Sequence, residues 1–195
     1  YIKLAYHSIE DPLPGFQKNS QINFLHGIAY SREGDAQLEK FDILNIRSLS
    51  TTDRYISRRA WQVSAGWDRQ LFEDNQEYLT RHVTFGFGKV FKVGSGAFYS
   101  MLGARAELFN SAEYDYAQLA PKFDMGVLYQ GDLFSYEINA NVLRMVESEL
   151  ERGQVSFSSA VAISRNVSLD FTLLHEETNM DSEKDEGKLQ LNLFF

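Results

Sequence analysis

The sequence contains no cysteine, and this absence excludes several kinds of chemistry from its 195 residues. Disulfide bonds, thiolate metal sites and a cysteine nucleophile all require that side chain. Proline is also scarce, with three residues, and the 13 glycines are scattered rather than gathered into a linker. A chain of this length fits one domain, so we interpret residues 1–195 as a single domain.

The sequence also lacks an excess of positive charge and a long apolar run. Lysine and arginine number 19 against 27 acidic residues, which gives a net charge of −8. Because nucleic-acid-binding surfaces are basic, we predict no nucleic-acid partner. No apolar run approaches the roughly 18 residues that a spanning helix needs. Aromatic residues nevertheless make up 14% of the chain, so the fold must place many large rings.

What the sequence does contain is a regular alternation between turn-forming clusters and short two-faced segments. Segments 61–68, 83–88, 123–129 and 167–173 each alternate apolar residues with polar or small ones. A period of two indicates strands, because successive side chains point to opposite faces. We count about eleven such strands and no convincing helix. The pattern predicts an all-β fold, an antiparallel up-and-down barrel, with a bulge in 37–47 where the alternation shifts.

Alternation alone does not say whether the apolar face packs into a soluble core or faces lipid. Polar and small residues in the middle of the strands favour lipid, since a wet barrel lumen suits them. A soluble outer face would be expected to carry more lysine. The polar lumen residues that we predict are Asp68, Arg105, Asp124, Glu137 and Asp170.

Aromatic side chains near the ends of the apolar faces also favour lipid. Amphipathic rings collect at the two interfaces of a bilayer, although ordinary aromatic enrichment in strands explains the same feature about equally well. The lipid-facing or interfacial residues that we predict are Trp61, Trp67, Phe85, Phe87, Tyr129, Phe134, Tyr136, Phe157, Phe171, Leu191 and Phe195.

The connections between strands alternate in length from the fourth strand onward. The long ones are 73–81, 110–118, 147–154 and 176–188, and the short ones are 92–96, 130–132 and 165–166. In an up-and-down barrel every second connection lies at the same rim, so one rim carries long loops and the other short turns. A Greek-key sandwich gives no reason for this regularity.

The end of the chain is a further indication of an outer-membrane barrel. Segment 189–195 alternates leucine with polar residues and finishes on Phe195. It resembles the C-terminal signal by which the barrel assembly machinery recognises bacterial outer-membrane proteins. We therefore predict the outer membrane of a Gram-negative bacterium as the location, and its lipids, lipopolysaccharide and the assembly machinery as partners.

The first third of the sequence carries a more specific resemblance, in segments 6–16, 21–24, 38–50 and 59–63. They resemble the C-terminal region of a bacterial family whose members begin with an Lnb-type periplasmic domain. That resemblance implies an upstream domain with a papain-type cysteine fold, associated with lipoprotein N-acylation, and a membrane-embedded tail. No catalytic residue carries over, since this chain has no cysteine. An odd strand count and a start within a strand lead us to expect a longer chain with twelve strands in all.

The four histidines are the first candidates for catalytic or metal-binding residues. His7 and His82 have the polar parity but lie at opposite rims, while His26 and His175 share the apolar parity and fit interfacial roles. This distribution predicts no histidine cluster. Asp124 and Glu137 are candidates for a carboxylate pair across adjacent strands, although groups that are solvated or neutralised by Arg105 are the more favoured interpretation.

Two other chemistries fit poorly. A barrel hydrolase would need a serine beside His175, and the nearby Ser156 and Ser158 have the lumen parity. An EF-hand loop from Asp181 would need glycine at its sixth position, where Glu186 stands. We predict no catalytic residue, no metal site and no cofactor in this segment.

The sequence therefore favours a non-enzymatic barrel that anchors or docks an upstream periplasmic domain or partner. A narrow outer-membrane pore is one alternative. A soluble lipocalin-like binding barrel, with the apolar face inside, is the other.

Overall fold

The computed structural model describes residues 5–7, 20–32, 35–49, 59–71, 77–110, 115–164 and 167–193. These residues form eleven strands. Their bounds are β1 (Ala5–His7), β2 (Ser20–Arg32), β3 (Asp35–Leu49), β4 (Arg59–Leu71), β5 (Glu77–Val93), β6 (Gly96–Asn110), β7 (Asp115–Gln130), β8 (Phe134–Arg144), β9 (Glu151–Ser164), β10 (Val167–Thr178) and β11 (Glu183–Leu193).

The strands form one antiparallel sheet in which each strand pairs with its neighbours in chain order, from β1 to β11. This confirms the predicted all-β, up-and-down architecture. The sheet is strongly curled. The curl brings Lys184 of β11 within 3.2 Å of Glu39 on β3 and 2.8 Å of Glu77 on β5. A twelfth strand stays a prediction. The described residues contain no helix that is long and apolar enough to cross a membrane.

The bulge predicted in 37–47 is confirmed. The register between β3 and β4 shifts between Asp42 and Leu44, so Ile43 is the extra residue. Opposite it in β2, Leu25 has a φ of 49°, which is unusual for a residue with a side chain. Both strands change the face they present at this level, and the polar residues beyond it still point inward.

The strands run further toward the long-loop rim than the sequence predicts. Segment 176–188 reads as a loop, but β10 continues to Thr178 and β11 begins at Glu183. Charged pairs such as His175–Asp185 and Glu177–Glu183 stand directly opposite each other there. Backbone pairing continues because these outward side chains lie beyond the apolar part of the strands and remain exposed. The prediction that segment 176–188 is a loop is therefore wrong, because its charged residues lie largely on paired strands.

The two faces of the sheet differ sharply in polarity. Outward side chains are apolar and exposed: Leu102 is 70% exposed, and Phe85 and Phe87 are 57% exposed. Inward side chains include many charged groups that are buried, among them Glu107 and Asp42, both at 0%. A lipocalin-like barrel requires the opposite arrangement, because its apolar face lines the interior.

Part of the inner face is apolar and dry. Near the rim formed by turns 94–95 and 131–133, seven inward side chains pack into a cluster that is at most 2% exposed. We call this cluster the apolar floor, and it consists of Leu49, Ala60, Val90, Ala97, Tyr99, Met101 and Leu128. The inner face is therefore apolar at the short-turn ends of β3–β7 and polar above this cluster. A second, smaller buried apolar cluster, at the long-loop ends of β7–β9, consists of Ala120, Leu143, Met145 and Leu150.

Candidate functional site

A polar cavity of about 400 Å³ lies inside the curled sheet, on the long-loop side of the apolar floor. Its charges balance. The positively charged lining residues are Lys40, Arg47, Arg105, Lys122 and Arg152, and the negatively charged ones are Asp42, Asp68, Asp124, Glu137 and Glu176. These side chains form contacts across the lumen, and they make up the candidate site.

The first group of contacts lies directly on the floor. Arg47 of β3 crosses the lumen to Glu137 of β8, with a distance of 2.5 Å from Nη2 to Oε2. The Tyr99 hydroxyl donates to the other Glu137 oxygen and accepts from the Asn139 amide. Tyr99 thus belongs to the apolar floor through its ring and to the polar network through its hydroxyl.

Gly126 makes room for this tyrosine. It stands opposite Tyr99 in the register of β6 and β7, and a Cβ atom added at Gly126 would lie 2.6 Å from the Tyr99 hydroxyl oxygen. The tyrosine therefore lies against bare backbone. A glycine in a strand interior often marks such a close approach.

Asp124 is neutralised by a second group. It accepts from the Gln62 amide at 2.8 Å and pairs with Lys122 at 2.9 Å. Asp124 and Glu137 do not form the carboxylate pair that was a candidate from the sequence, because Asp124 stands opposite Asn141. Each carboxylate has its own cation, Lys122 for Asp124 and Arg47 for Glu137. The preferred neutralising residue was also wrong: neither carboxylate is paired with Arg105.

Arg105 instead begins the third group, nearer the long loops. Its guanidinium binds Asp68 at 2.7 Å and Glu107 at 2.6 Å. Glu107 also binds Arg152 of β9 at 2.9 Å, and Arg152 reaches the Gln70 amide oxygen at 3.0 Å. This chain of contacts joins β4, β6 and β9 across the lumen, and Glu107 at its centre holds two buried guanidinium groups.

Two histidines take part in the network. His26 Nδ1 lies 3.2 Å from Asp42, and His82 Nδ1 lies 3.3 Å from Asp68. The interfacial role predicted for His26 is wrong, because the irregularity at Leu25 turns this side chain inward, where it is buried. Period-two counting misses such a shift. The parity change at 37–47 on the partner strand was the one available signal.

The remaining residues of the predicted lumen and lipid sets are placed as follows. Asp170 is partly exposed and accepts from Ser168, which is buried. On the outer face, Trp61, Phe134, Phe171 and Leu191 are exposed, as are Phe85 and Phe87. Trp67, Tyr129, Tyr136 and Phe157 are partly exposed. Phe195 lies outside the described residues.

Aromatic rings of the outer face gather near both rims. At the short-turn rim Tyr129 stacks on Tyr136, with 5.6 Å between ring centroids, and Phe134 packs on Tyr136 at 5.7 Å. Toward the long-loop rim Phe41 packs on Trp67 at 5.8 Å. Exposed apolar side chains at the middle of the strands, such as Phe85 and Leu102, lie between these two groups of rings.

The outer face offers a His–Asp pair without a nucleophile beside it. His175 Nδ1 lies 2.8 Å from Asp185 on the outward side of β10 and β11. Its cross-strand neighbour on β9 is Val155, while Ser156 and Ser158 line the cavity. Among the described residues, no serine therefore adjoins this pair on its own face. In that same part of the chain, no group of three or more histidine or acidic side chains could hold a metal ion.

Comparisons with known proteins give three findings. The curated proteins contain no significant match. A solved structure, OmpTdeltaL8 (loop L8 deletion mutant of OmpT), an outer membrane protein of Vibrio cholerae, aligns at a TM-score of 0.40 with 11% identity, over 90% of this chain and 74% of that one. The family model "Domain of unknown function (DUF7840)" matches residues 1–194. The chain therefore belongs to the DUF7840 family.

Proposed function

We propose that this chain is an outer-membrane β-barrel that anchors or docks a periplasmic module. One observation carries the membrane assignment: exposed apolar side chains surround an interior of buried, paired charges. In water this arrangement would expose the apolar surface and would gain nothing from it. In a bilayer the same surface is solvated by lipid, and the polar groups are satisfied inside.

The dimensions of the apolar face support the assignment. On β7 the outward apolar side chains run from Leu119 to Tyr129, which matches the roughly 9–11 residues that a tilted transmembrane strand needs. The rings near both rims suit the two bilayer interfaces. Lipids, lipopolysaccharide and the barrel assembly machinery are the partners that such a barrel requires.

The anchoring role rests on the resemblance of the first third of the chain to the tail of the Lnb-type family. In that arrangement the short-turn rim faces the periplasm, and the module sits there at the inner leaflet. Any catalysis belongs to the module, since the lumen side chains described here pair with one another. The alternative of a narrow pore is opposed by the apolar floor, and planar-bilayer recordings should show no stable conductance.

A lysine scan tests the membrane assignment. Leu102 lies at the middle of β6 on the outward face, and Val93 lies at the short-turn end of β5. In a bilayer Leu102→Lys should cost about 2–4 kcal/mol of unfolding free energy, and Val93→Lys about 0–1 kcal/mol. Urea unfolding from lipid vesicles measures both. Equal, negligible effects, with full extraction from cells without detergent, would overturn the assignment.

Fractionation tests the anchor separately. The complete gene product and a version without residues 1–195 are produced in the same strain. An epitope tag in the upstream region is used to detect that region in each cell fraction. We expect the tag in the outer-membrane fraction only when the barrel is present. If the tagged region stays in that fraction without the barrel, or if nothing but a signal peptide precedes the barrel, the anchoring role is wrong.

A further inference from the structure

We propose that the polar cavity is a blind vestibule, which small hydrophilic solutes enter from the long-loop side and which ends at the apolar floor. This inference rests on the proposed membrane orientation and adds a binding site to it. The cavity is neither a through pore nor a fully packed core. Its occupant is a small polar molecule from outside the cell.

The boundary of the cavity falls at the same level on several strands. On β9, Gln154, Ser156 and Ser158 line the cavity, whereas Ala160, the next inward residue toward the short turns, is 1% exposed and does not. On β8 the lining ends at Glu137, and the next inward residue, Ser135, is fully buried. The cavity therefore stops part of the way down this wall.

The opposite wall ends in the same way. Gln62 of β4 lines the cavity and Ala60 below it is fully buried. On β3, Arg47 lines the cavity and Leu49 belongs to the floor. On β3 and β4 the cavity therefore ends above the apolar floor, and on β8 and β9 it ends above the buried Ser135 and Ala160. Together these buried residues separate the cavity from the short-turn rim.

Water reaches the interior at the long-loop rim. The side chain of Lys40, which lines the cavity on β3, is 35% exposed. Nearby, Lys184 contacts Glu39, Glu77 and Glu186 within 3.2 Å, and all four side chains are partly exposed. This group, which we call the Lys184 latch, lies at the mouth. One amine holds three carboxylates together there.

The lining defines the class of solute. Its five positive and five negative side chains balance, so the cavity selects neither cations nor anions. Its β8–β9 wall offers amides and hydroxyls from Asn139, Asn141, Gln154 and Ser156. An apolar solute would remove water from these groups without replacing their hydrogen bonds. A neutral polyhydroxylated or zwitterionic solute satisfies both donors and acceptors.

A cysteine walk along β9 tests the vestibule, and the chain has no native cysteine to interfere. The cysteine of Ser158→Cys points into the cavity, that of Phe157→Cys points outward at the middle of β9, and that of Ala160→Cys points into the buried layer below the cavity. The full chain is placed in lipid vesicles and treated with sulfonatoethyl or trimethylammonioethyl methanethiosulfonate. Modification is followed by mass spectrometry.

We expect Ser158→Cys to react with both reagents. The other two variants should react at least about tenfold more slowly, because a thiol in an apolar environment forms little thiolate. Lys184→Met should speed the reaction of Ser158→Cys, since three carboxylates lose their shared cation and separate. Leu128→Ala, at the floor, should not change that rate if solutes enter only at the mouth.

Each other result has a distinct meaning. An unreactive Ser158→Cys, or a rate that rises with Leu128→Ala but not with Lys184→Met, overturns the vestibule. A reactive Ala160→Cys shows that solutes pass the floor and likewise overturns it. Fast reaction of Phe157→Cys places the outer face in water, and in that case the proposed membrane function fails, rather than the vestibule alone.

Discussion

The two halves of the inner face are built from the same strands but are held together differently. Toward the short turns, Leu49, Val90 and Leu128 pack as in the core of a soluble protein and are at most 1% exposed. Toward the long loops, side chains such as Arg105 and Glu107 meet in ion pairs. One strand supplies both, since Tyr99 and Met101 lie in the floor and Arg105 and Glu107 in the network.

This difference shows how the interior of the curled sheet is stabilised. In the proposed bilayer location lipid solvates the outer face, and burial of apolar side chains inside is then not the sole source of stability. The floor is stabilised by apolar burial and close packing. The polar half gains little net energy from each pair, because burying a charge costs nearly as much as its partner returns. Loss of one partner is therefore the most damaging change there.

Removal of one charge from the network should give the largest effect. Glu107 is fully buried between Arg105 and Arg152, so Glu107→Gln leaves two guanidinium groups without their shared anion. We expect a loss of about 3–5 kcal/mol in unfolding free energy. Urea titration in lipid vesicles measures it. The control is Glu151→Gln, which breaks an exposed pair with Arg144 and should change stability by about 0.5 kcal/mol or less.

Truncation of a side chain in the apolar floor should give the second-largest loss of unfolding free energy. Leu128→Ala removes a side chain that is 1% exposed and should cost about 2–5 kcal/mol, since little can fill the space. Leu102→Ala is the matched control on the outer face, where the side chain is 70% exposed; in the proposed bilayer location lipid fills the space, so the loss should be smaller. Comparable losses for the two variants would mean that the floor is not packed as a core.

The smallest loss of unfolding free energy is expected for a change at the junction between the apolar floor and the polar network, where Gly126 meets Tyr99. Gly126→Ala adds a methyl group whose carbon would lie 2.5 Å from the Ile138 backbone oxygen and 2.6 Å from the Tyr99 hydroxyl oxygen. Both the backbone of β8 and the tyrosine ring must shift, which should cost about 1–3 kcal/mol. Gly187→Ala is the control, because a Cβ atom there would meet only the Leu173 side chain at an ordinary 3.7 Å. A neutral Gly126→Ala would show that neither the backbone at Ile138 nor the ring of Tyr99 is held in place at this junction.

Several features could be predicted from the sequence because they depend on neighbours along a strand. The alternation in segments such as 83–88 gives the two faces, and the parity change at 37–47 gives the bulge. Arg105 and Glu107 share a parity, so their common face follows directly. Their pairing with Asp68 and Arg152 does not follow, since those partners lie on β4 and β9.

Other features were missed for identifiable reasons. The inward turn of His26 depends on one backbone irregularity at Leu25, which leaves no mark in the alternation of that segment. The length of β10 and β11 was underestimated, because charged residues above the apolar part of a strand look like a loop. The apolar floor was missed because Tyr99 and Met101 share the parity of Arg105 and Glu107, and so belong to the face that the sequence predicts to be polar.

The sequence by itself determined that this protein is an antiparallel β-structure with one apolar and one polar face. It did so because the pleat of a strand turns each second residue to the same side. Only the tertiary structure decided that the polar face is inside, which charges meet across the lumen, and where the apolar floor closes it. Those outcomes depend on the curl of the sheet, which brings strands distant in the chain, such as β3 and β11, within reach of one side chain.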